Sequence, residues 1–123
     1  MSDRIKISVS SEFDRQRMAA NQLQYIFKYR VQIDNLGDEA VQLLRRYWII
    51  DDGNGQRQEV EGEGVVGEQP IIAAGQSYEY NSFAVLPSPT ATMSGHYLMQ
   101  PTNGRSFQAP IEAFVLAQPL ALH

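Results

Sequence analysis

Between Leu23 and Ile33 every second residue is apolar: Leu23, Tyr25, Phe27, Tyr29, Val31 and Ile33 alternate with Gln, Ile, Lys, Arg and Gln. Successive side chains on a strand point to opposite faces, so this period of two predicts a half-buried β-strand and argues against a helix there. A strand with one apolar face needs a second layer to cover it. The same period runs through Ile5, Ile7 and Val9. After the turn signal Asn35-Leu36-Gly37-Asp38, the segment Val41 to Ile50 is rich in β-branched and aromatic residues and ends at Asp51-Asp52-Gly53-Asn54-Gly55, which reads as a hairpin tip. Further short strands are expected at Gln56 to Val60, Ile71 to Ala73, Ser77 to Val85, His96 to Gln100, Arg105 to Ala109 and Glu112 to Leu116. Gly75, Pro87-Ser88-Pro89, Asn103-Gly104 and Pro110 punctuate them. Ser11 to Asn21 is the one polar stretch without a strand pattern and is expected to be a mobile loop. Eight or nine short strands with frequent turns predict an all-β chain, a single immunoglobulin or fibronectin type III-like antiparallel β-sandwich. One domain spanning residues 1-123 accounts for the length.

Charge and composition remove several function classes. Ten basic and fourteen acidic residues leave a net charge of −4. A broad basic surface for nucleic acid is therefore not expected. No cysteine occurs and only two histidines do, so thiol chemistry, iron–sulfur clusters and zinc–cysteine sites are excluded, and no metal or other cofactor is expected. The start, Met1-Ser2-Asp3-Arg4-Ile5-Lys6, lacks the apolar stretch of a secretory signal, and no apolar run approaches the length of a membrane helix. A cytoplasmic protein is the expectation.

Gly62, Gly64 and Gly67 spell G-x-G-x-x-G. In a dinucleotide-binding fold that spacing carries a pyrophosphate at a helix N-terminus. Here Val65-Val66, Pro70 and Ile71-Ile72 follow, with no helical period, so the Rossmann reading fails on context. Two readings stay open: a loop or bulge that needs positive φ, or a nest of backbone N–H groups that binds phosphate or pyrophosphate. Arg45 and Arg46 would supply the cationic component of such an anion site. On a strand they point to opposite sides, Arg45 with Tyr47 and Arg46 with Trp48, and Trp48 is expected in the core.

The acids cluster. Asp51, Asp52, Glu59, Glu61, Glu63, Glu68 and Glu79 face only Arg57 in that stretch. A solvated acidic edge that discourages sheet-to-sheet pairing explains them better than a loosely arranged hard-cation site. His96 is expected to be structural, and His123 is the last residue, where a mobile side chain is expected. No G-x-S-x-G elbow or Ser-x-x-Lys occurs, and no catalytic residue can be assigned.

Residues 44 to 70 carry a longer pattern: Leu44-Arg45-Arg46-Tyr47-Trp48-Ile49-Ile50, Asp52-Gly53-Asn54-Gly55, and Val60-Glu61-Gly62-Glu63-Gly64-Val65-Val66-Gly67-Glu68-Gln69-Pro70. With Ala74-Gly75, Tyr78-Glu79-Tyr80-Asn81-Ser82, Met93-Ser94-Gly95-His96-Tyr97 and Phe114-Val115-Leu116, the chain resembles the ApaG family over nearly its whole length. The resemblance implies a fibronectin-III-like sandwich and an association with cobalt resistance and magnesium efflux. It departs from the family at Glu61, Ala91 and Gln100-Pro101-Thr102, which weakens a metal or anion site on the latter two loops. The expectation is a non-catalytic binding or protein-interaction module linked to divalent-cation homeostasis, with a protein partner, no nucleic acid and no membrane; a homodimer is compatible with it. The first alternative is a domain that binds pyrophosphate or a nucleoside polyphosphate through Arg45, Arg46, Gly62, Gly64 and Gly67. The second is a metal-dependent hydrolase of such compounds.

Overall fold

The computed structural model describes residues 4–119, which leaves His123 and the first three residues outside it. Eight strands follow one another: β1 (Ile5–Ala19), β2 (Gln22–Asn35), β3 (Val41–Asp52), β4 (Arg57–Glu63), β5 (Ile71–Ile72), β6 (Ser77–Leu86), β7 (Thr90–Pro101) and β8 (Phe107–Ala117). Every pairing is antiparallel. One sheet has the order β1-β2-β6; the other has β4-β3-β7-β8, with β5 also on β3. The architecture is the antiparallel sandwich that the alternation predicts.

The inward residues of β2, Phe27, Tyr29, Val31 and Ile33, are buried, as the period of two requires. They meet Leu43, Trp48 and Ile50 of β3, Met93, Tyr97 and Met99 of β7, and Ile111 and Leu116 of β8. Trp48 is the aromatic hub of this core, edge-on to Tyr29 at 5.7 Å, to Tyr97 at 6.3 Å and to Phe114 at 6.0 Å. A buried amide pins the turn after β2: Asn35 Nδ2 donates to the carbonyls of Glu39 and Ile72, each at 2.9 Å, and its Oδ1 accepts from Gly37 N at 3.0 Å. Deleting that amide would leave buried backbone groups unpaired.

Four sequence expectations need correction. Ser11 to Asn21 is not a loop but the outer half of β1 and the turn into β2, where Ala20 and Asn21 both take positive φ, 51° and 64°, as a two-residue hairpin requires. Asp14 to Met18 are exposed whichever way they point, so no apolar alternation marks the strand. Arg105–Ala109 and Glu112–Leu116 are one strand, β8, running through Pro110; β8 is a sheet edge, where a missing N–H is tolerated. The strand expected at His96 begins at Thr90 and passes Gly95, where a Cβ would lie 1.9 Å from the Tyr47 carbonyl oxygen. Last, Gly62 lies within β4 rather than in a loop.

Candidate functional site

A β-bulge in β3 decides which arginine enters the sandwich. The register with β7 slips between Leu43 and Arg45, leaving Leu44 as the extra residue. Leu43 points inward before the slip; after it Arg46, Trp48 and Ile50 do. Without the bulge, Arg45 and Tyr47 would have faced the core. Arg46 lies opposite Gly62 on β4, and a Cβ on Gly62 would sit 3.0 to 3.2 Å from the guanidinium. The glycine is thus a slot for the arginine head. From that slot Arg46 Nη1 donates to the carbonyls of Glu63 at 3.0 Å and Gly64 at 2.9 Å. Its Nε and Nη2 have no partner among the described residues, and no described carboxylate forms an ion pair with it.

Residues 64 to 68 fold into a miniature hairpin. Val65 N donates to Glu68 O at 2.8 Å and Glu68 N to Val65 O at 3.0 Å, while Gly64 N reaches back to Leu44 O at 2.8 Å. The two central residues, Val66 and Gly67, have φ of 49° and 78°, the signature of a type I′ turn. Glycine belongs there. A β-branched valine does not, and Val66 is nonetheless held in the left-handed region with its side chain 64% exposed. Gly64 also has positive φ, 62°, and a Cβ on it would lie 2.1 Å from Glu68 O. Three N–H groups that a phosphate nest would need, those of residues 64, 65 and 68, are bonded within the protein.

Arg46 and this hairpin form one wall of a cleft of about 440 Å³; β6 forms the other. Tyr29, Trp48 and Tyr80 form its floor, and Ser82, Phe83 and Val66 stand around it. The Tyr80 hydroxyl shares a hydrogen bond with the fully buried Tyr97 hydroxyl. Burial pushes both phenols well above the ordinary range. Burial raises Tyr29 too, opposed by the Ser82 hydroxyl and the charge of Arg46. At the end of the cleft the Tyr78 hydroxyl donates to Glu68 Oε2 at 3.0 Å and latches the hairpin onto β6. The floor stays neutral at physiological pH; among the described residues lining the cleft Arg46 carries the one formal charge, and the Glu68 carboxylate, held by Tyr78, stands at its end.

Of the residues expected at a ligand site, Arg46, Gly62, Gly64 and Gly67 come together around this wall. Arg45 does not: it is exposed on the opposite face, beside Tyr47, Glu61 and His96. There the rings of Tyr47 and His96 stack with centroids 5.0 Å apart, and the Tyr47 hydroxyl bonds Glu59. Glu59, Glu61 and Glu63 lie along β4 at the sheet edge, and Arg57 pairs with Asp51 at 2.8 Å. Among the described residues no three His, Asp or Glu side chains converge to hold a metal ion. Sequence reasoning passed over Tyr29, Tyr80, Ser82, Phe83 and Val66. The alternation Tyr78, Tyr80, Ser82 carried the signal for two of them; nothing local marked Val66. No helix among the described residues is long and apolar enough to cross a membrane.

Comparison with known proteins gives one consistent answer. The family described as the ApaG domain matches residues 15–101. A protein called Protein ApaG from Shewanella piezotolerans is 47% identical over 119 residues, covering 97% of this chain and 94% of that one. The Protein ApaG of Escherichia coli O1:K1 is 47% identical over 122 residues, 99% of this chain and 98% of its own. Among solved structures, the X-ray structure of structural genomics target SoR45 superposes with a TM-score of 0.94 at 41% identity, covering 99% of this chain and 92% of that one. A Bordetella pertussis chain described as an ApaA protein does so at 0.86 and 42% identity, with 95% of each covered.

Proposed function

The chain belongs to the ApaG family, and from that premise we propose that it is a non-catalytic binding module whose cleft between β6 and the 64–68 hairpin receives part of a protein partner. One observation carries this reading: Arg46 is drawn to the cleft by a bulge and a glycine slot, and among the described residues two of its nitrogens have no partner and no carboxylate pairs with it. Arginine is a common anchor in protein interfaces, because its planar fork pairs carboxylates at two points. A catalytic reading has no matching support, since no nucleophile stands beside a base in the cleft. The family's association with cobalt resistance and magnesium efflux points to a partner engaged in divalent-cation handling.

The test is affinity capture from cell lysate with the parent protein and Arg46→Gln, followed by mass spectrometry and quantified binding of each protein found. Partners retained by the parent and weakened about tenfold by Arg46→Gln, with both proteins equally folded by thermal melt, are the expected result. Identical partners and affinities for both would sink the reading. A second reading, a pyrophosphate or nucleoside-polyphosphate site, keeps support from the unpartnered nitrogens of Arg46 and loses it from the occupied N–H groups of the hairpin. A rise of several degrees in Tm with millimolar pyrophosphate, abolished by Arg46→Gln, would favour it over the first.

A further inference from the structure

The sandwich has strands at the margins of both sheets, and all but one of them are protected against pairing with another chain. Strand β1 carries the bulge between Phe13 and Arg15, charged residues from Glu12 to Arg17, and a close neighbour in β8, whose Val115 carbonyl accepts from the Ser11 hydroxyl. Strand β8 has Pro110 and an interrupted register against β7. Strand β4 carries Glu59, Glu61 and Glu63, and β5, paired only with β3, is two residues long. Each of these is a recognised way of blunting an edge. Strand β6, Ser77–Leu86, has none of them: no proline, no lysine, no bulge in its register with β2, and a single charged residue, Glu79. Phe83 is 55% exposed on it.

The open side of β6 also presents its backbone. Asn35 N donates to Gln76 O at 2.9 Å, which sets the alternation of the antiparallel ladder. Tyr78, Tyr80, Ser82 and Ala84 direct their backbone groups to β2, whereas Glu79, Asn81, Phe83 and Val85 direct theirs to the free edge. Asn81 and Phe83 border the same cleft as Arg46.

We infer that β6 is a template for strand addition: an extended segment of a partner protein pairs with the backbone of Asn81, Phe83 and Val85 and turns one carboxylate side chain inward onto Arg46. This deepens the binding reading above and rests on it. Main-chain hydrogen bonds to the edge supply register, and the inward-facing position supplies specificity. Charge selects the occupant, because Arg46 borders the cleft and no carboxylate among the described residues forms an ion pair with it. A second copy of the chain does not meet that demand. The inward positions of its own β6 are Tyr78, Tyr80, Ser82 and Ala84, without a carboxylate, and the latched hairpin stands where a second whole sheet would have to lie.

The test selects short linear peptides from a displayed library on the full-length protein and titrates the strongest as a synthetic fluorescent probe. Enriched peptides should share an Asp or Glu at one position. Affinity should fall about tenfold or more with Arg46→Gln, with Phe83→Pro, and with N-methylation of the peptide at one set of alternate residues but not the other. The methylated peptides leave the protein unchanged and so decide the matter even if Phe83→Pro unfolds. Failure to enrich any peptide above background overturns the inference. So does an affinity that depends on Arg46 yet ignores N-methylation in both registers, an outcome that keeps the cleft as a binding site and removes only strand addition. A concentration-dependent dimer in sedimentation, dispersed by Phe83→Pro, overturns it in favour of a second copy.

Discussion

The two lateral sides of the sandwich solve the same problem differently. On one side β1 and β8 lie against each other, and Val9 and Phe13 of β1 with Ile111 and Phe114 of β8 pack onto the core and seal it with hydrocarbon. On the other, β6 and β3 are held apart by a short hairpin and an arginine, over a floor of tyrosines. Sealing with apolar residues gains stability from every atom buried and leaves nothing to recognise. Leaving the seam open places polar groups in a poorly hydrated site and keeps a strained valine in the wall, features that stability alone would remove. The contrast separates the side of the molecule that seals the fold from the side to which binding is assigned above.

The largest expected effect comes from removing the open wall. Gly64→Ala places a methyl 2.1 Å from Glu68 O in a left-handed conformation, so the hairpin must rearrange. A loss of about 2 to 3 kcal/mol is expected in denaturant unfolding, with the amide exchange of residues 64–68 accelerated far more than that of β1 and β8. An unchanged melting midpoint would mean that the hairpin contributes nothing to the fold.

Alkaline pH should attack the same side next. The Tyr80 and Tyr97 phenols are raised above their ordinary value of 10.0, so the folded state holds their protons more tightly than the unfolded state. Their contribution is present below pH 10 and is lost progressively above it, by on the order of 1 kcal/mol for the pair by pH 11. Melts from pH 8 to 11 should be flat and then fall. Tyr80→Phe, which removes one of the two groups, should reduce that alkaline slope; an equal slope would assign the fall elsewhere.

How much of this was legible follows from where residues bury. Strand β2 announces itself because one face is core and the other solvent, and β6 does so for the same reason. The outer half of β1 is wet on both faces, so its sequence has no period to read. For the site, alternation correctly separates Arg45 from Arg46. Pairing with Trp48, expected in the core, also places Arg46 on the inward side; what no local run of residues encodes is the bulge at Leu44, a register property shared with β7 that lets Leu43 and Arg46 both face inward. The glycines at 64 and 67 could be read as positions needing positive φ. Gly62 could not, because its reason is a cross-strand guanidinium and not its own backbone.

Smaller effects sharpen the comparison further. Val66→Asn replaces a β-branched residue at φ 49° with one that tolerates it, and should stabilise the chain by about 1 kcal/mol in thermal melts while weakening whatever the cleft binds. A destabilised variant would show that Val66 is packed and not strained. Tyr78→Phe deletes the hydroxyl on Glu68 and should lower stability by about 0.5 kcal/mol, visible chiefly as faster exchange in the hairpin. The matching change on the sealed side, Ser11→Ala, loses only an exposed bond of 3.4 Å and should leave the midpoint unmoved.

Pro110 bears on stoichiometry. In the language of polymer growth, a unit that both accepts a strand and offers one is bifunctional and forms fibrils, whereas a unit with a single reactive end stops after one addition. Strand β8 lacks an N–H at its proline, the glutamates on β4 repel a like-charged neighbour, β1 is bulged and charged and β5 is two residues long, so among the described residues a chain engaged at β6 offers no second open edge from which to propagate. The strand addition inferred for β6 would therefore be self-terminating, one segment to one chain.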